Sequence, residues 1–277
     1  MIKLFEKLSN GTINEAYTHG GIFHADDVFA AALLRYVNPN ISFKRVFNVN
    51  NLDPSKDLIF DIGGGEYDHH QEDALLRTIG DDSSKYAAFG LLWDDLGHFI
   101  LPDDEAYRFD EEFVQIIDKT DNTGEPNILS ATIGSLNPNW DSGESPDEAF
   151  EKAVAIATAL LSAKLDSIKS RLKADSLVEE DYGKSENKEI ITLEKFRPWQ
   201  NILVPSVAKF VIYPSLRGGY NLQTVPVEQG GTVPKREIPE SWKVVPPEGM
   251  TFCHPNRFLA SFSTEAEAYA AAESILR

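Results

Sequence analysis

INEAYTHGGIFHADDVFAAALLRYVNPN, residues Ile13 to Asn40, is the stretch on which the fold turns. Ile13 to Thr18 reads as a short strand that stops at His19-Gly20-Gly21. Ala25 to Tyr36 is built from strong helix formers and is apolar almost all round, so the helix it predicts is buried on more than one face. Asp26 and Asp27 occupy the first turn, and Asn38-Pro39 stops the helix. Working outward, Ile41 to Phe47 is a second strand, and Asp57 to Ile62 (DLIFDI) a third, closed by Gly63-Gly64-Gly65. This strand–helix–strand–strand order with short connections predicts an α/β fold, a mostly parallel sheet flanked by helices.

Farther along, Tyr86 to Leu96 and Asp103 to Asp118 read as helices. Ser145-Pro146-Asp147-Glu148 is a capping box with proline in the first turn. It opens a long helix in which Phe150, Ala153, Val154, Ala157, Leu160, Leu161, Leu165, Ile168 and Leu172 form one apolar stripe, the mark of a core helix. The polar stretch Glu179 to Lys188 reads as a boundary. Beyond it Ile190–Leu193, Val207–Tyr213, Tyr220–Val227 and Phe258–Phe262 are short β-prone runs parted by Pro- and Gly-containing turns, and Thr264-Glu265-Ala266-Glu267 caps a last helix. The expected organisation is a metal-binding catalytic domain over 1–145, a long helix and linker over 146–187, and a small α+β domain with an antiparallel sheet over 188–277.

With 42% hydrophobic and 25% charged residues the chain has the composition of a globular protein. No apolar stretch is long enough to span a bilayer, and Met1 to Gly11 lacks the pattern of a signal peptide. One cysteine, Cys253, excludes an internal disulfide framework and a cysteine-rich zinc site, which points to the cytoplasm. A net charge of −18 argues against a broad duplex-binding face. The excess lies wholly in residues 1–185, and within 195–264 eight basic side chains face four acidic ones. A small anionic substrate is therefore compatible with the charge.

The histidines carry the chemistry. Four of the six fall in two groups: His19-x-x-x-x-His24-x-Asp26, running from a strand end to a helix start, and Asp68-His69-His70, a few residues beyond Asp61. In an open α/β sheet, ligands gather outside the carboxyl ends of strands, where His19 and Asp61 are expected to lie. Imidazole and carboxylate without thiolate suit manganese, iron, cobalt or zinc better than magnesium. The donors exceed what one ion needs, so two ions bridged by Asp61 are expected, activating a water and clamping a phosphoryl oxygen. The segment Asp118-Lys119-Thr120-Asp121-Asn122 offers one more ligand, from either aspartate. Asp26 and Asp27 also have a plainer reading as complements to a helix dipole, and His98 and His254 stand outside both groups.

The tripeptide Asp68-His69-His70 resembles the signature of the DHH phosphoesterase superfamily. More closely, THGGIFHADD (Thr18 to Asp27) and DIGGGEYDHHQ (Asp61 to Gln71) resemble the melanocyte-proliferating-gene exonuclease family. The likeness continues through DNTG (Asp121 to Gly124), SLNPNW (Ser135 to Trp140), RPW (Arg197 to Trp199), VIYP (Val211 to Pro214) and VPVE (Val225 to Glu228). The resemblance implies a two-metal phosphodiesterase, with manganese the usual metal and RNA the substrate of characterised members. It implies His19, His24, Asp26, Asp61, His69 and Asp121 as metal ligands, and Asp68 and His70 as catalytic residues, His70 facing the substrate phosphate. Phe252 to Phe262 resembles a substrate-binding motif that ends in paired glycines, where this chain has Ala260-Ser261. His254 and Arg257 are the phosphate partners expected there, and Tyr213, Tyr220, Trp199 and Trp242 the rings available for stacking on bases. Single-stranded RNA or DNA is thus the expected substrate. A dinucleotide or pyrophosphate is the alternative, and a metal-binding regulatory protein without turnover a third reading.

Overall fold

The computed structural model describes residues 4–79 and 82–277. Its contacts divide into two compact units, Met1–Ile168 and Lys169–Arg277. The residues of the Met1 to Gly11 segment that precede Leu4 lie outside the described residues.

In the first unit, helix α1 (Leu4–Ser9) precedes strand β1 (Glu15–His19), helix α2 (Ala25–Val37), and strands β2 (Ser42–Val46) and β3 (Leu58–Ile59). β1 lies in the middle of this three-stranded sheet and pairs parallel with both neighbours, His19 opposite Val46 and Tyr17 opposite Ile59. The α/β reading is thus realised as a parallel sheet. Every residue of α2 from Ala25 to Leu34 is buried, including Asp26 and Asp27, as its all-round apolar sequence requires. A hairpin of β4 (Leu76–Ile79) and β5 (Asp82–Lys85) follows, then α3 (Ala88–Ile100) and α4 (Asp103–Phe109). From α4 the chain passes through one π turn, Asp110–Val114, into α5 (Gln115–Thr123), then α6 (Ile128–Gly134). Asn127 caps α6, its side chain accepting from the amides of Leu129 and Ser130. The core joins α2 (Phe29, Leu33), α3 (Phe89, Leu92) and the stripe Phe150, Val154, Ala157, Leu161 and Leu165 of α7 (Pro146–Lys184). Of the expected stripe, Leu160 is exposed.

α7 is 39 residues long and runs on into the polar stretch expected to be linker, ending at Lys184. That stretch holds no proline and no glycine before Gly183, and Lys184 pairs with Glu180 one turn back.

The second unit adds β6 (Ile190–Thr192), α8 (Gln200–Leu203), β7 (Phe210–Pro214), β8 (Tyr220–Thr224), β9 (Met250–Cys253), β10 (Leu259–Phe262) and α9 (Glu265–Leu276). Their order in the sheet is β6-β7-β8-β10-β9, antiparallel except for the β6–β7 pair. Period-two alternation divides two cores across it. Phe210, Ile212, Leu222, Ala260 and Phe262 pack with Ala268, Ala272 and Ile275 of α9, while Val211 and Tyr213 pack with Trp199, Leu203 and Val178. No helix among the described residues is long and apolar enough to cross a membrane.

Candidate metal centre

Three chain segments meet at the carboxyl end of the parallel sheet. The first is the turn from β1 into α2. Gly20 donates to the Val46 carbonyl at 2.7 Å, which extends the β1–β2 ladder past His19. The turn is then fixed from outside. Asn137 brackets Phe23, accepting from its amide at 3.0 Å and donating to its carbonyl at 2.8 Å, and buried Arg45 donates to the Gly21 carbonyl at 2.8 Å. Gly21 has φ +92°, a value only glycine adopts without strain. The amide of His24 donates to Asp27 Oδ1 at 2.9 Å, so one oxygen of Asp27 closes the helix end.

The second segment follows β3. Asp61 itself sits at φ 56°, in the left-handed region that aspartate tolerates better than most residues. Its amide donates to the Tyr67 carbonyl at 2.9 Å, and Asp68 Oδ2 accepts from Gly64 at 2.6 Å, which folds the Gly63–Gly65 turn back so that His69 and His70 return to Asp61. The third segment is the last turn of α5, which brings Asp121.

Within this junction Asp61 lies in the middle. Its Oδ2 is 3.3 Å from His19 Nε2, and its Oδ1 is 3.2 Å from His69 Nε2. His19 Nε2 is also 3.1 Å from Asp27 Oδ2. His69 Nε2 is 3.3 Å from Asp121 Oδ2 and 3.8 Å from Asp26 Oδ2. His24 Nδ1 lies 3.7 Å from Asp121 Oδ1, and His70 Nδ1 lies 2.7 Å from Asp68 Oδ1. Three sets of ligand atoms come within 4.8 Å of one another: His19, Asp27 and Asp61; Asp61, His69 and His70; His24, Asp26 and Asp121. A cleft of about 490 Å³ opens over His19, His24, Asp61, His70 and Asp121, with Ile22 on its rim.

The charges in this junction do not close. Both oxygens of Asp26, Asp27 Oδ2, Asp61 Oδ1 and His69 Nε2 are buried without a hydrogen-bond partner. Orphaned buried polar atoms are rare because each forfeits its hydration. Burial, then the charges of Asp61 and Asp121, push the Asp26 carboxyl well above the usual range. Burial also raises Asp27, against the pull of His19. Asp61 goes the other way: burial opposes its charge, but His19 and His69 outweigh it and hold it below the usual value. The carboxylates of Asp27 and Asp61, both close to Nε2, carry His19 from 6.5 to about 10. Without a cation the junction recruits protons, and a divalent ion with nitrogen and oxygen preference is what these donors fit.

All six residues expected as ligands, His19, His24, Asp26, Asp61, His69 and Asp121, come together here, with Asp68 and His70 beside them. The structure adds Asp27, whose place in a helix first turn reads in sequence as capping alone. Asp118, the alternative to Asp121, turns away. It is fully buried against Arg77, which also holds Asp110 at 2.7 Å, and it accepts from the Gly90 amide at 3.1 Å. His98 is exposed and pairs with Asp103.

In the second unit, His254 and Arg257 form the turn between β9 and β10. The Arg257 amide donates to the His254 carbonyl at 2.8 Å, and its guanidinium donates to the Ile238 carbonyl at 3.1 Å and pairs with Glu237 at 3.3 Å. Trp199 and Trp242 are buried packing residues, which corrects their expected availability for stacking. A hollow of about 610 Å³ instead exposes Phe196 and Phe252 beside Tyr213, with Lys195, Arg217 and Asn221 around them. Phe196 and Phe252 carried no sequence signal beyond being aromatic.

Residues 15–276 match the model of the MYG1 exonucleases, described as an uncharacterised protein family (UPF0160). The MYG1 exonuclease of Homo sapiens is 28% identical over 94% of this chain and 85% of its own. That of Rattus norvegicus is 29% identical over 94% and 84%. The MYG1 protein of Saccharomyces cerevisiae is 24% identical over 98% of both chains. Comparison with solved structures gave no match.

Proposed function

The chain belongs to the MYG1 exonuclease family, and from that premise we propose that it is a metal-dependent phosphodiesterase of the DHH type, an exonuclease on single-stranded RNA or DNA. The orphaned carboxylate oxygens around Asp61 carry this reading, because they call for divalent cations where the relatives' name calls for phosphodiester hydrolysis. His19, Asp27 and Asp61 would hold one ion, and Asp26, His69 and Asp121, with His24, a second; Asp61, which lies between the two sets, would serve both. Manganese is the metal we favour, with zinc, iron or cobalt meeting the same donors. Such ions lower the pKa of a bound water and offset charge that gathers on phosphoryl oxygens.

The side chains around that centre have separate tasks. Asp68 accepts the Nδ1 proton of His70, which leaves Nε2 at the exposed edge of the ring facing the cleft. There His70, when it carries a second proton at Nε2, would donate to a phosphoryl oxygen or give that proton to the departing 3′ oxygen, and Asp68 orients the ring and offsets its positive charge. The first unit thus carries the chemistry, and the small α+β unit from residue 188 the substrate side. On it, Lys195 and Arg217 suit phosphates, and the exposed rings of Phe196 and Phe252 suit bases, whereas Tyr213 is buried behind them. Arg257 would take phosphate in exchange for Glu237, with His254 at the same turn. The cytoplasm, a reducing compartment, is the expected location of a chain with one cysteine.

A second reading, hydrolysis of a dinucleotide or pyrophosphate, is favoured by the net charge of −18 and by Ser261, whose hydroxyl is engaged by Asn221 at 2.8 Å where a bare glycine would admit a longer strand. Hydrolysis of an end-labelled short RNA, with manganese or with chelator, for wild type and His69→Ala, separates the readings. Stepwise shortening that needs manganese and His69 supports the exonuclease. Cleavage of a dinucleotide but not of the longer strand moves the assignment to small phosphates. Bound metal with neither activity leaves a regulatory metal-binding protein.

A further inference from the structure

Asn122 follows Asp121 in the last turn of α5, and its amide has four neighbours. Nδ2 lies 2.9 Å from the Asp118 carbonyl, 3.1 Å from that of Tyr86 and 3.3 Å from that of Lys85. Oδ1 lies 3.3 Å from His69 Nδ1. The three carbonyls decide which way the amide faces. An NH₂ group donates to them, whereas the reversed amide would set Oδ1 against three acceptors. Oδ1 is therefore held toward His69, and it can only accept.

We infer that Asn122 is a positioning residue that keeps a proton on His69 Nδ1 and thereby presents His69 Nε2 as a ligand atom to the divalent ion. The inference rests on the metal centre proposed above and goes beyond it. Nε2 is the orphaned nitrogen of the junction, within 3.8 Å of Asp26, Asp61 and Asp121. A ring with the opposite tautomer would aim an N–H at the cation and a lone pair at the Asn122 oxygen, so both ends would be wrong. His19 and His70 show the same arrangement in a simpler form, with Nδ1 beside the Gly20 carbonyl at 3.1 Å and beside Asp68 at 2.7 Å. Only for His69 is the acceptor a side-chain amide, and its orientation is locked by backbone from two other places in the unit: the preceding turn of α5 and the entry to α3.

The full chain, labelled with ¹⁵N in histidine, allows a direct reading when it is titrated with zinc, a diamagnetic probe. Two-bond ¹H–¹⁵N spectra are expected to show His69 with Nδ1 protonated and with zinc shifting Nε2. In Asn122→Ala the manganese affinity, read by calorimetry, is expected to fall about 10–100-fold, and the Nδ1 proton to exchange faster. If zinc shifts Nδ1, or if the alanine variant keeps both its affinity and its His69 spectrum, the positioning role is wrong while the metal centre stands. If zinc shifts neither nitrogen of His69, the metal centre falls as well. The wild-type spectrum gives its answer whether or not a variant folds, and none of these readouts depends on turnover.

Discussion

The buried ionic groups around Arg77 and around Asp61 both lie in the first unit, and both draw on α5. Around Arg77, the guanidinium meets Asp110 and Asp118, stacks at 4.1 Å on the ring of Tyr86, and leaves no oxygen of Asp118 idle, since the second accepts from Gly90. Around Asp61, carboxylates face one another and neutral-capable rings, with five atoms orphaned. The first group is electrostatically closed and the second is open. Burial alone is thus a poor guide to function, because Asp118 is as buried as Asp26. What sets the Asp61 group apart is that several buried atoms without a partner gather in one place.

The largest expected effect breaks the open group. Asp61→Ala should lower hydrolysis at least about 10⁴-fold, or roughly 5.4 kcal/mol in barrier, and reduce bound manganese. In the metal-free chain it removes the carboxylate that His19 and His69 hold ionised, so some loss of stability is expected as well. A variant that bound and cut like wild type would end the idea that Asp61 is shared by two ions. Breaking the closed group should have the opposite profile. Arg77→Met strands two carboxylates and is expected to cost about 3–5 kcal/mol in denaturant unfolding. Gly90→Ala attacks the same place, since a Cβ there would overlap Asp118 and Arg77. A loss for Arg77→Met under roughly 1 kcal/mol would mean that the two groups do not differ as described.

Next comes the pH dependence of the metal-free chain. His19 is raised from 6.5 to about 10, so its contribution to stability is fully present below 6.5 and is lost as pH rises through about 10. Asp26, also raised, has the same sign: its protonated form is favoured by folding, and stability falls as pH rises above 3.8. Asp61 is lowered and contributes above 3.8, its share being lost on acidification. Thermal melts in chelator should therefore decline as pH climbs from 6.5 toward 10. Manganese at a hundred times its dissociation constant should add about 2.7 kcal/mol, and the decline should flatten. An equal slope with and without metal would argue that cations do not replace those protons. The smallest effect is expected at His98, exposed and outside both groups, where alanine should change stability by less than about 0.5 kcal/mol and manganese binding not at all.

The open group was legible in sequence because its residues cluster at strand ends and a helix start, where spacing alone brings them together. Asp27 escaped because a carboxylate in a first turn already has an ordinary explanation, and its second oxygen shows its other partner only in space. The Arg77–Asp118 pair spans 41 residues with no local pattern to announce it, so residue spacing left Asp118 and Asp121 open and only the resemblance through DNTG favoured Asp121. The parallel sheet and buried α2 followed from hydrophobic pattern. Strand β9 did not, since Met250 to Cys253 carries no clean alternation, and neither did the π turn.

That π turn, with the Gln115 amide donating to the Asp110 carbonyl, fits one residue more than an α-helical turn would hold. It works as a phase shifter. Deleting a single residue there would rotate everything downstream by about 100°. Asp118 would be swung from its guanidinium, and Asp121 and Asn122 from the cleft, all in one step. The helix would be continuous and more regular, and it would address the wrong side of the molecule.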